Sequence, residues 1–351
     1  MRELRYELEK LGGLRRKHIC PGCGRSHKFT LYIDLKTNLP VHQTVGRCDR
    51  ESSCGYHVTP TQYFQNNPIY RPDPTSCSIN SRQEPKPTSF MTTDTMVGSL
   101  RHYDRNNFAY FLHEIFGAEQ ADTLINLYKI GTSKYWEKAT VFWQIDINGR
   151  VRAGKIIQFN IVSNSQTFTG FDCKRNKDNF PPVHWVHSAL KLTDFNMKQC
   201  LFGEHLLTDK SKPVAIVESE KTAVIASAYF PQFIWLATGG LSHFSLEKME
   251  VLDGRKVFFF PDLKGFEKWS IKVKELSSRM PLTFSKISDL LEKNADPKER
   301  EEDLDLADYL IRFDSKRFRN KPLVENIEEG LVKALKEEGV NWFNCNSYDL
   351  I

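Results

Sequence analysis

The fold is decided by residues 213–262, which read PVAIVESEKTAVIASAYFPQFIWLATGGLSHFSLEKMEVLDGRKVFFFPD. Short apolar runs bounded by breakers are typical of buried strands, and here they alternate with helical segments. Such alternation predicts an α/β fold with a mainly parallel sheet and helices on both of its faces. The pattern predicts strands at 214–218, 233–238, 256–262 and 282–287, and helices at 220–229, 245–250, 266–278 and 304–312.

Acidic residues end two of these strands. Glu218 ends the first and Asp262 ends the third. Because ligands of an open parallel sheet bind outside the carboxyl ends of its strands, the two carboxylates are expected to meet in one crevice. Carboxylate oxygens there would suit Mg²⁺ or Mn²⁺. Further acids open the last predicted helix, at Asp303, Asp305 and Asp308. The alternative is that these residues only cap strands or favour a helix N-terminus, and spacing alone leaves both interpretations open.

Four cysteines near the start of the chain have the spacing of a metal knuckle. Cys20, Cys23, Cys48 and Cys54 form a C-x2-C-x24-C-x5-C pattern, and a glycine follows the second cysteine of each pair. Four thiolates complete a tetrahedral zinc site, which predicts structural zinc in a small ribbon. The spacing of five in the second pair is unusual, so a histidine among His18, His27, His42 and His57 could replace one cysteine. The alternative is four free thiols, the interpretation that also suits Cys77, Cys173, Cys200 and Cys345.

Composition sets limits on the class of protein. The chain has 351 residues, of which 40% are hydrophobic and 26% charged, with a net charge of +5. These values exclude collagen-like, disordered and disulfide-scaffold classes, and they allow an anionic partner. No apolar run is long enough for a membrane span, so a cytoplasmic protein without a membrane partner is expected. Basic residues with interleaved aromatics around the cysteines suggest nucleic-acid contact, namely Arg15, Arg16, Lys17, Arg25, Lys28 and Arg47 with Phe29, Tyr32, Tyr56 and Tyr63.

The chain is predicted to contain five regions. These are a zinc ribbon at 1–65, a Pro/Ser-rich linker at 66–98, an α+β segment at 99–210, the α/β domain at 211–315, and a C-terminal helix and tail at 316–351. In the α+β segment, helices are expected at 104–116 and 118–128. A strand hairpin is expected around the turn Asn148-Gly149, because Asn-Gly between apolar runs is a strong hairpin signal.

The order of several motifs resembles the Toprim domain of primases, topoisomerases and related nucleases. The motifs are VAIVESEKTAVIAS, WLATGGL, VFFFPD and DLADYL, and the upstream YKIGTS, TVFWQIDINGRVRAGKI and CLFGEHLL resemble the segment before Toprim in bacterial and phage primases. More narrowly, the chain is similar to primase-like proteins of bacterial mobile elements. The resemblance implies that Glu218 and Asp262 hold the divalent metal. The family's second aspartate falls at Lys264, so Glu220, Asp305 and Asp308 are further candidate ligands. The zinc knuckle departs as well, since replicative primases usually use one histidine and another spacing.

The resemblance implies a primase-like protein of a mobile element, bacterial or phage, acting on single-stranded DNA and nucleotides with a helicase or another replication protein as partner. Metal-dependent nucleotidyl transfer would use Glu218 and Asp262 as catalytic metal ligands. The candidate nucleic-acid contacts are Arg152, Lys155, Lys174, Arg175, Lys221 and Lys264. The alternatives are a non-catalytic single-strand-binding module, in which Lys264 contacts phosphate, and a Toprim nuclease.

Overall fold

The protein is described by a computed structural model that covers residues 5–9, 17–50, 54–67, 86–179, 181–240, 243–280, 284–302 and 304–318. The chain divides into two compact units, Met1–Pro87 and Thr88–Ile351. Several predictions lie outside the described residues: most of the linker, the C-terminal helix and nearly all of the tail, and the residues Asp303, Cys77 and Cys345. In the described part of the chain, no helix has the length and apolar character to cross a membrane.

The first unit is a small antiparallel sheet followed by a helix. Its elements are β1 (Tyr6–Leu8), β2 (Phe29–Asp34), β3 (Leu39–Pro40), β4 (Gly46–Cys48), β5 (His57–Val58) and α1 (Pro60–Asn66). Strand β2 pairs with β1, β3 and β4, and β4 also pairs with β5. Phe29 and Leu31 of β2 form a small buried core with Cys20 and Cys48, so this core and the cysteine knuckle depend on each other.

The second unit opens with helices and antiparallel strands. Its elements up to residue 189 are α2 (Thr93–Ser99), α3 (Asn107–Phe116), α4 (Ala118–Tyr128), β6 (Gly131–Ser133), β7 (Ala139–Ile145), β8 (Val151–Ile157), β9 (Phe159–Ser163), β10 (Phe171–Arg175), β11 (His184–Trp185) and α5 (Val186–Ala189). One antiparallel sheet has the order β11-β8-β7-β6, and β9 and β10 form a separate hairpin.

The predicted hairpin at Asn148-Gly149 is confirmed. Gly149 has a φ of +77°, a left-handed conformation that glycine adopts without strain. The carboxylate of Asp146 accepts hydrogen bonds from the backbone N–H groups of Asn148 and Arg150, and from the side chains of Arg150 and Arg152. A buried aspartate therefore fixes the turn between β7 and β8.

The linker was predicted to extend to residue 98, but the second unit already begins at Thr88. Met91 is buried and pairs with Val151 of β8, and Thr92 caps helix α2. The prolines at 85 and 87 and the polar residues after them resemble a linker in sequence. In the sequence, the cap at Thr92 and the single apolar residue Met91 indicate ordered structure less strongly than the prolines and polar residues indicate a linker.

A four-stranded parallel sheet forms the rest of the second unit. Its elements are β12 (Val214–Val217), α6 (Glu220–Tyr229), β13 (Ile234–Ala237), α7 (Leu246–Met249), β14 (Lys256–Phe259), α8 (Phe266–Arg279), β15 (Phe284–Ile287), α9 (Leu290–Asn294), α10 (Pro297–Glu302) and α11 (Leu306–Leu310). The strand order is β13-β12-β14-β15, with all pairs parallel. The predicted strands and helices are present, with β14 ending at Phe259 and not at 262.

Side chains alternate between the two faces of this sheet. Ala215 and Val217 of β12 pack into a core with helices α6 and α11, whereas Val214 and Ile216 pack into a second core with helix α8. Helices therefore cover both faces, as the sequence pattern predicted. The first core continues into α3, α4 and β7 through Phe108, Leu124 and Phe142, among others. The predicted segments 99–210 and 211–315 thus share one hydrophobic core.

Candidate functional site

The cysteine knuckle brings four sulfur atoms together. The Sγ atoms of Cys20, Cys23, Cys48 and Cys54 all lie within 4.8 Å of one another, and those of Cys20 and Cys54 are 3.7 Å apart. Sulfurs bound to a tetrahedral zinc at about 2.3 Å lie roughly 3.8 Å apart, so the donor set fits zinc. Gly24 and Gly55, which follow the second cysteine of each pair, have φ values of +66° and +72°. Both glycines permit the left-handed turn that was expected of them.

Histidines are not part of this ligand set. Among the described residues, the group of four potential metal ligands at this knuckle contains cysteines alone. His18 contacts Glu9, His42 contacts Thr44, and His57 contacts Tyr32. The four-cysteine interpretation is therefore the one that the geometry supports. Phe29, predicted among the surface aromatics, is fully buried beneath the knuckle and cannot stack on a base there.

Glu218 and Asp262 meet at the carboxyl end of the parallel sheet. Glu218 follows β12 and Asp262 follows β14, and these strands are neighbours. Gly265 lies between the two residues. A Cβ atom added there would stand 2.7 Å from the backbone oxygen of Asp262 and 3.1 Å from Oε1 of Glu218. The missing side chain of Gly265 lets the start of helix α8 approach both acids.

The carboxyl group of Asp262 lies in an unfavourable electrostatic environment. Its Oδ1 atom is buried and has no hydrogen-bond partner within the part of the chain that the structure describes. Burial, the Glu218 carboxylate and the carboxylates of Asp305 and Asp308 together hold the pKa of Asp262 well above its usual range, while Lys221 acts in the opposite direction. A buried oxygen without a donor, surrounded by negative charge, is the environment that a cation relieves.

Asp305 and Asp308 have structural partners of their own. They form a reciprocal capping box at the N-terminus of α11, in which each carboxylate accepts the backbone N–H of the other residue. Thr222 also donates a hydrogen bond of 2.7 Å to Oδ2 of Asp305. The hydrogen bond of 3.0 Å from the Leu263 N–H to the Leu304 carbonyl holds this capped helix close to Asp262.

Two lysines enter the carboxylate cluster. Lys221 Nζ lies 3.3 Å from Oδ1 of Asp308, and Lys174 Nζ lies 3.0 Å from the same atom and 2.8 Å from Oδ2 of Asp172. Burial alone would raise the pKa of Asp308, but the two ammonium groups outweigh it and hold that pKa below its usual range. Asp172, on β10, is almost fully buried and was not among the residues singled out from the sequence.

The remaining candidate residues occupy different environments. Lys264 is exposed, with a left-handed φ of +69°, and Arg175 is exposed at the end of β10. Arg152 donates a 2.7 Å hydrogen bond to Asp146 at the hairpin turn. Lys155 is 5% exposed and donates hydrogen bonds of 2.9 Å to both carboxylate oxygens of Glu220, which is 1% exposed. Glu220 is thus held in a buried ion pair with Lys155.

A basic groove in the second unit was missed from the sequence. It encloses about 600 Å³ between residues 98–105 and the β6–β7 connection. The lining of this groove includes one acid, Glu137, and one tryptophan, Trp136. Its basic residues are Arg101, His102, Arg105, Lys134 and Lys138. The signal available in the sequence was KYWEK at 134–138, where two lysines flank a tyrosine and a tryptophan.

Comparisons with known proteins give partial matches. Residues 106–263 match the model of a domain of unknown function, DUF6371, and residues 4–69 match a zinc beta-ribbon finger family. No curated protein matches the chain. The four cysteines described above lie inside the residues that match the zinc-ribbon family.

Several solved primases are similar to the chain in structure. The primase fragment of the bacteriophage T7 primase-helicase protein has a TM-score of 0.34 at 12% identity, covering 82% of this chain and 98% of that one. The zinc-binding and RNA polymerase domains of the Aquifex aeolicus primase have a TM-score of 0.34 at 13% identity, covering 94% and 86%. The DnaG catalytic core has a TM-score of 0.36 at 12% identity, covering 69% and 87%.

Proposed function

We propose that the chain is a primase-like protein acting on single-stranded DNA, with Glu218 and Asp262 holding a Mg²⁺ or Mn²⁺ ion. The observation that carries this proposal is the buried Oδ1 atom of Asp262, which lacks a donor among the described residues and lies near a second carboxylate. A divalent cation would supply the missing partner and offset the repulsion between the two acids. Mg²⁺ in proteins is commonly held by one or two carboxylates, with water and phosphate oxygens as its other ligands.

The two aspartates of helix α11 are less suited to the metal. Asp305 already accepts hydrogen bonds from Thr222 and from the helix backbone, and Asp308 is paired with two lysines. Recruiting either one as a ligand would break a cap or an ion pair. We therefore assign the metal to Glu218 and Asp262 and give Asp305 and Asp308 a supporting role.

The bound metal would stabilise charge that develops on phosphate oxygens during nucleotidyl transfer. The chain's own residues then have to hold the strand. Arg101, Lys134 and Lys138 provide cations for phosphates in the basic groove, and Trp136 provides a ring on which a base can stack. The exposed residues Lys264 and Arg175 remain proposed phosphate contacts, whereas Arg152 and Lys155 are proposed to act through the ion pairs that they form.

A second candidate function is a non-catalytic module that binds single-stranded DNA. The observation in its favour is Lys264, an exposed cation that stands two residues after Asp262, where the resemblance places a second acid. In this version the lysine contacts phosphate and the carboxylates give little metal affinity. The resemblance also suggests a role in replication or transfer of a mobile element, with a helicase as partner.

One experiment separates these functions. The full chain is incubated with single-stranded DNA, ribonucleotides and Mg²⁺, and both the primers and the template are examined. Short primers that disappear in Asp262→Asn but persist in Asp253→Asn, which alters an exposed acid, would support nucleotidyl transfer. Binding without primers would support the module, and a cleaved template would indicate a nuclease. Absence of both DNA binding and divalent-metal binding would contradict the proposed function.

A further inference from the structure

Lys221 lies inside the carboxylate cluster. It is the second residue of helix α6, and its side chain is 12% exposed. Burial alone would lower its pKa, but Asp308, Asp305 and Asp172 outweigh this effect and raise the pKa above its usual range. The ammonium group contacts Asp308, and its removal would leave that carboxylate with Lys174 as its remaining cation among the ion pairs described above.

The acids around Lys221 come from separate parts of the fold. Asp172 belongs to strand β10, Asp305 and Asp308 cap helix α11, and Asp262 follows strand β14. Lys221 contacts Asp308, which shares a reciprocal capping box with Asp305 and is joined to Asp172 through Lys174. The ammonium group of Lys221 therefore lies where carboxylates converge. In many proteins a metal ion occupies such a position.

We propose that Lys221 is a positioning residue that takes the place of a second divalent cation, so that the site accepts one metal ion at Glu218 and Asp262. The inference rests on the proposed function, because it concerns the same metal site. Its direct basis is the 3.3 Å contact of Lys221 with Asp308 and the network that joins Asp308, Lys174 and Asp172. Lys174 alone cannot fill this role, since its side chain is 48% exposed and lies at the edge of the network.

The experiment counts metal ions on the full chain with its zinc in place. Mn²⁺ is titrated and the free ion is followed by electron paramagnetic resonance, for the wild type and for Lys221→Met. We expect one bound Mn²⁺ in the wild type. In Lys221→Met we expect a second bound ion, or an affinity for the first that is at least about tenfold higher, because one nearby positive charge is gone. Lys210→Met, which alters an exposed lysine elsewhere in the unit, should match the wild type.

An unchanged count and affinity in Lys221→Met would overturn the inference and leave the metal site at Glu218 and Asp262 standing. If Lys221→Met does not fold, Asp305→Asn decides, because asparagine still caps a helix but lacks the charge. One retained Mn²⁺ in Asp305→Asn supports the inference, and loss of the ion overturns it. A wild type that binds no Mn²⁺, with Lys221→Met binding one, would contradict the proposed function and still support the role of Lys221.

Discussion

Asp262 combines a buried carboxyl oxygen with a raised pKa, and this has a consequence for stability. A raised pKa means that the folded state holds the proton more tightly than the unfolded chain does. The stability from this group is therefore full below its unfolded value of 3.8 and is lost as pH rises through the folded pKa. Asp262 therefore lowers the stability of the fold at neutral pH relative to acidic pH, as is common for groups that serve a site and not the core.

We predict that Asp262→Asn unfolds at a higher temperature than the wild type at pH 7 without divalent metal, because asparagine cannot ionise. The difference should shrink as the pH is lowered toward 4. Addition of Mg²⁺ should raise the midpoint of the wild type but not that of the variant. Thermal unfolding followed by circular dichroism checks both points, with Asp253→Asn as the control. A variant less stable than the wild type at pH 7 would show that Asp262 is a structural residue.

Lys264 gives a second prediction at the scale of one residue. Replacing this exposed lysine by aspartate changes the local charge by two units, two residues from Asp262. Lys264→Asp should therefore bind Mg²⁺ more tightly, by about tenfold at low salt, and the gain should fall at higher salt, where exposed charges are screened. Isothermal titration with Lys274→Asp, an exposed lysine of helix α8, as control measures the change. Weaker binding in Lys264→Asp would place Lys264 outside the metal site.

At the scale of elements, the junction between β14 and α8 has no space for a side chain at Gly265. Gly265 has an ordinary helical conformation, so its need for glycine comes from space and not from φ. A methyl group there would meet the backbone oxygen of Asp262. We predict that Gly265→Ala destabilises the protein by about 2 kcal/mol, the usual cost of overpacking, and weakens Mn²⁺ binding by moving Glu218 or the loop. Denaturant unfolding and Mn²⁺ titration test this prediction. An unchanged Mn²⁺ affinity in Gly265→Ala would show that the junction does not shape the metal site.

The zinc knuckle is the other element with a direct test. If four thiolates hold a zinc ion, Cys20→Ala should lose the single zinc that the wild type is expected to carry. The second unit has its own core and should stay folded. Elemental analysis gives the zinc content, and circular dichroism at the helical signal gives the state of the second unit. Full zinc content in Cys20→Ala would mean that another residue completes the site.

Helices whose ends depend on residues close in sequence could be predicted, but the ion pairs around the candidate site could not. Helices 118–128 and 220–229 coincide with α4 and α6, because their ends are set by local signals such as the cap Ser219. The convergence of Glu218 and Asp262 followed from the rule for parallel strand ends. The pairing of Lys155 with Glu220 could not be predicted, because packing joins two residues that are 65 positions apart. The burial of Asp172 could not be predicted either, because its neighbour Lys174 also contacts Asp308, which is 134 residues further along the chain.

At the scale of the whole molecule, the basic groove predicts a salt response. If three to five phosphates are contacted, the logarithm of the affinity for single-stranded DNA should fall with the logarithm of salt with a slope of roughly −2 to −3.5. Replacing Lys134 and Lys138 together by alanine should remove two phosphate contacts and lower the steepness of this slope by about 1.4. Fluorescence anisotropy of a labelled oligothymidine at several salt concentrations measures both slopes, with Lys210→Ala as control. A slope near zero would argue against phosphate contacts.

The shared core of the second unit has a consequence for how such a chain can be inherited. Phe202 pairs with Ala237, Tyr128 donates to the carbonyl of Trp235, and Lys155 is buried against Glu220, so the segments on either side of residue 210 complete each other. A recombination event that exchanged only the parallel sheet would expose apolar surface on both products. It would also leave a buried charge without its partner in each of them. The two segments are therefore expected to pass between genomes as one block, whereas the first unit, with its own small core, can be exchanged separately.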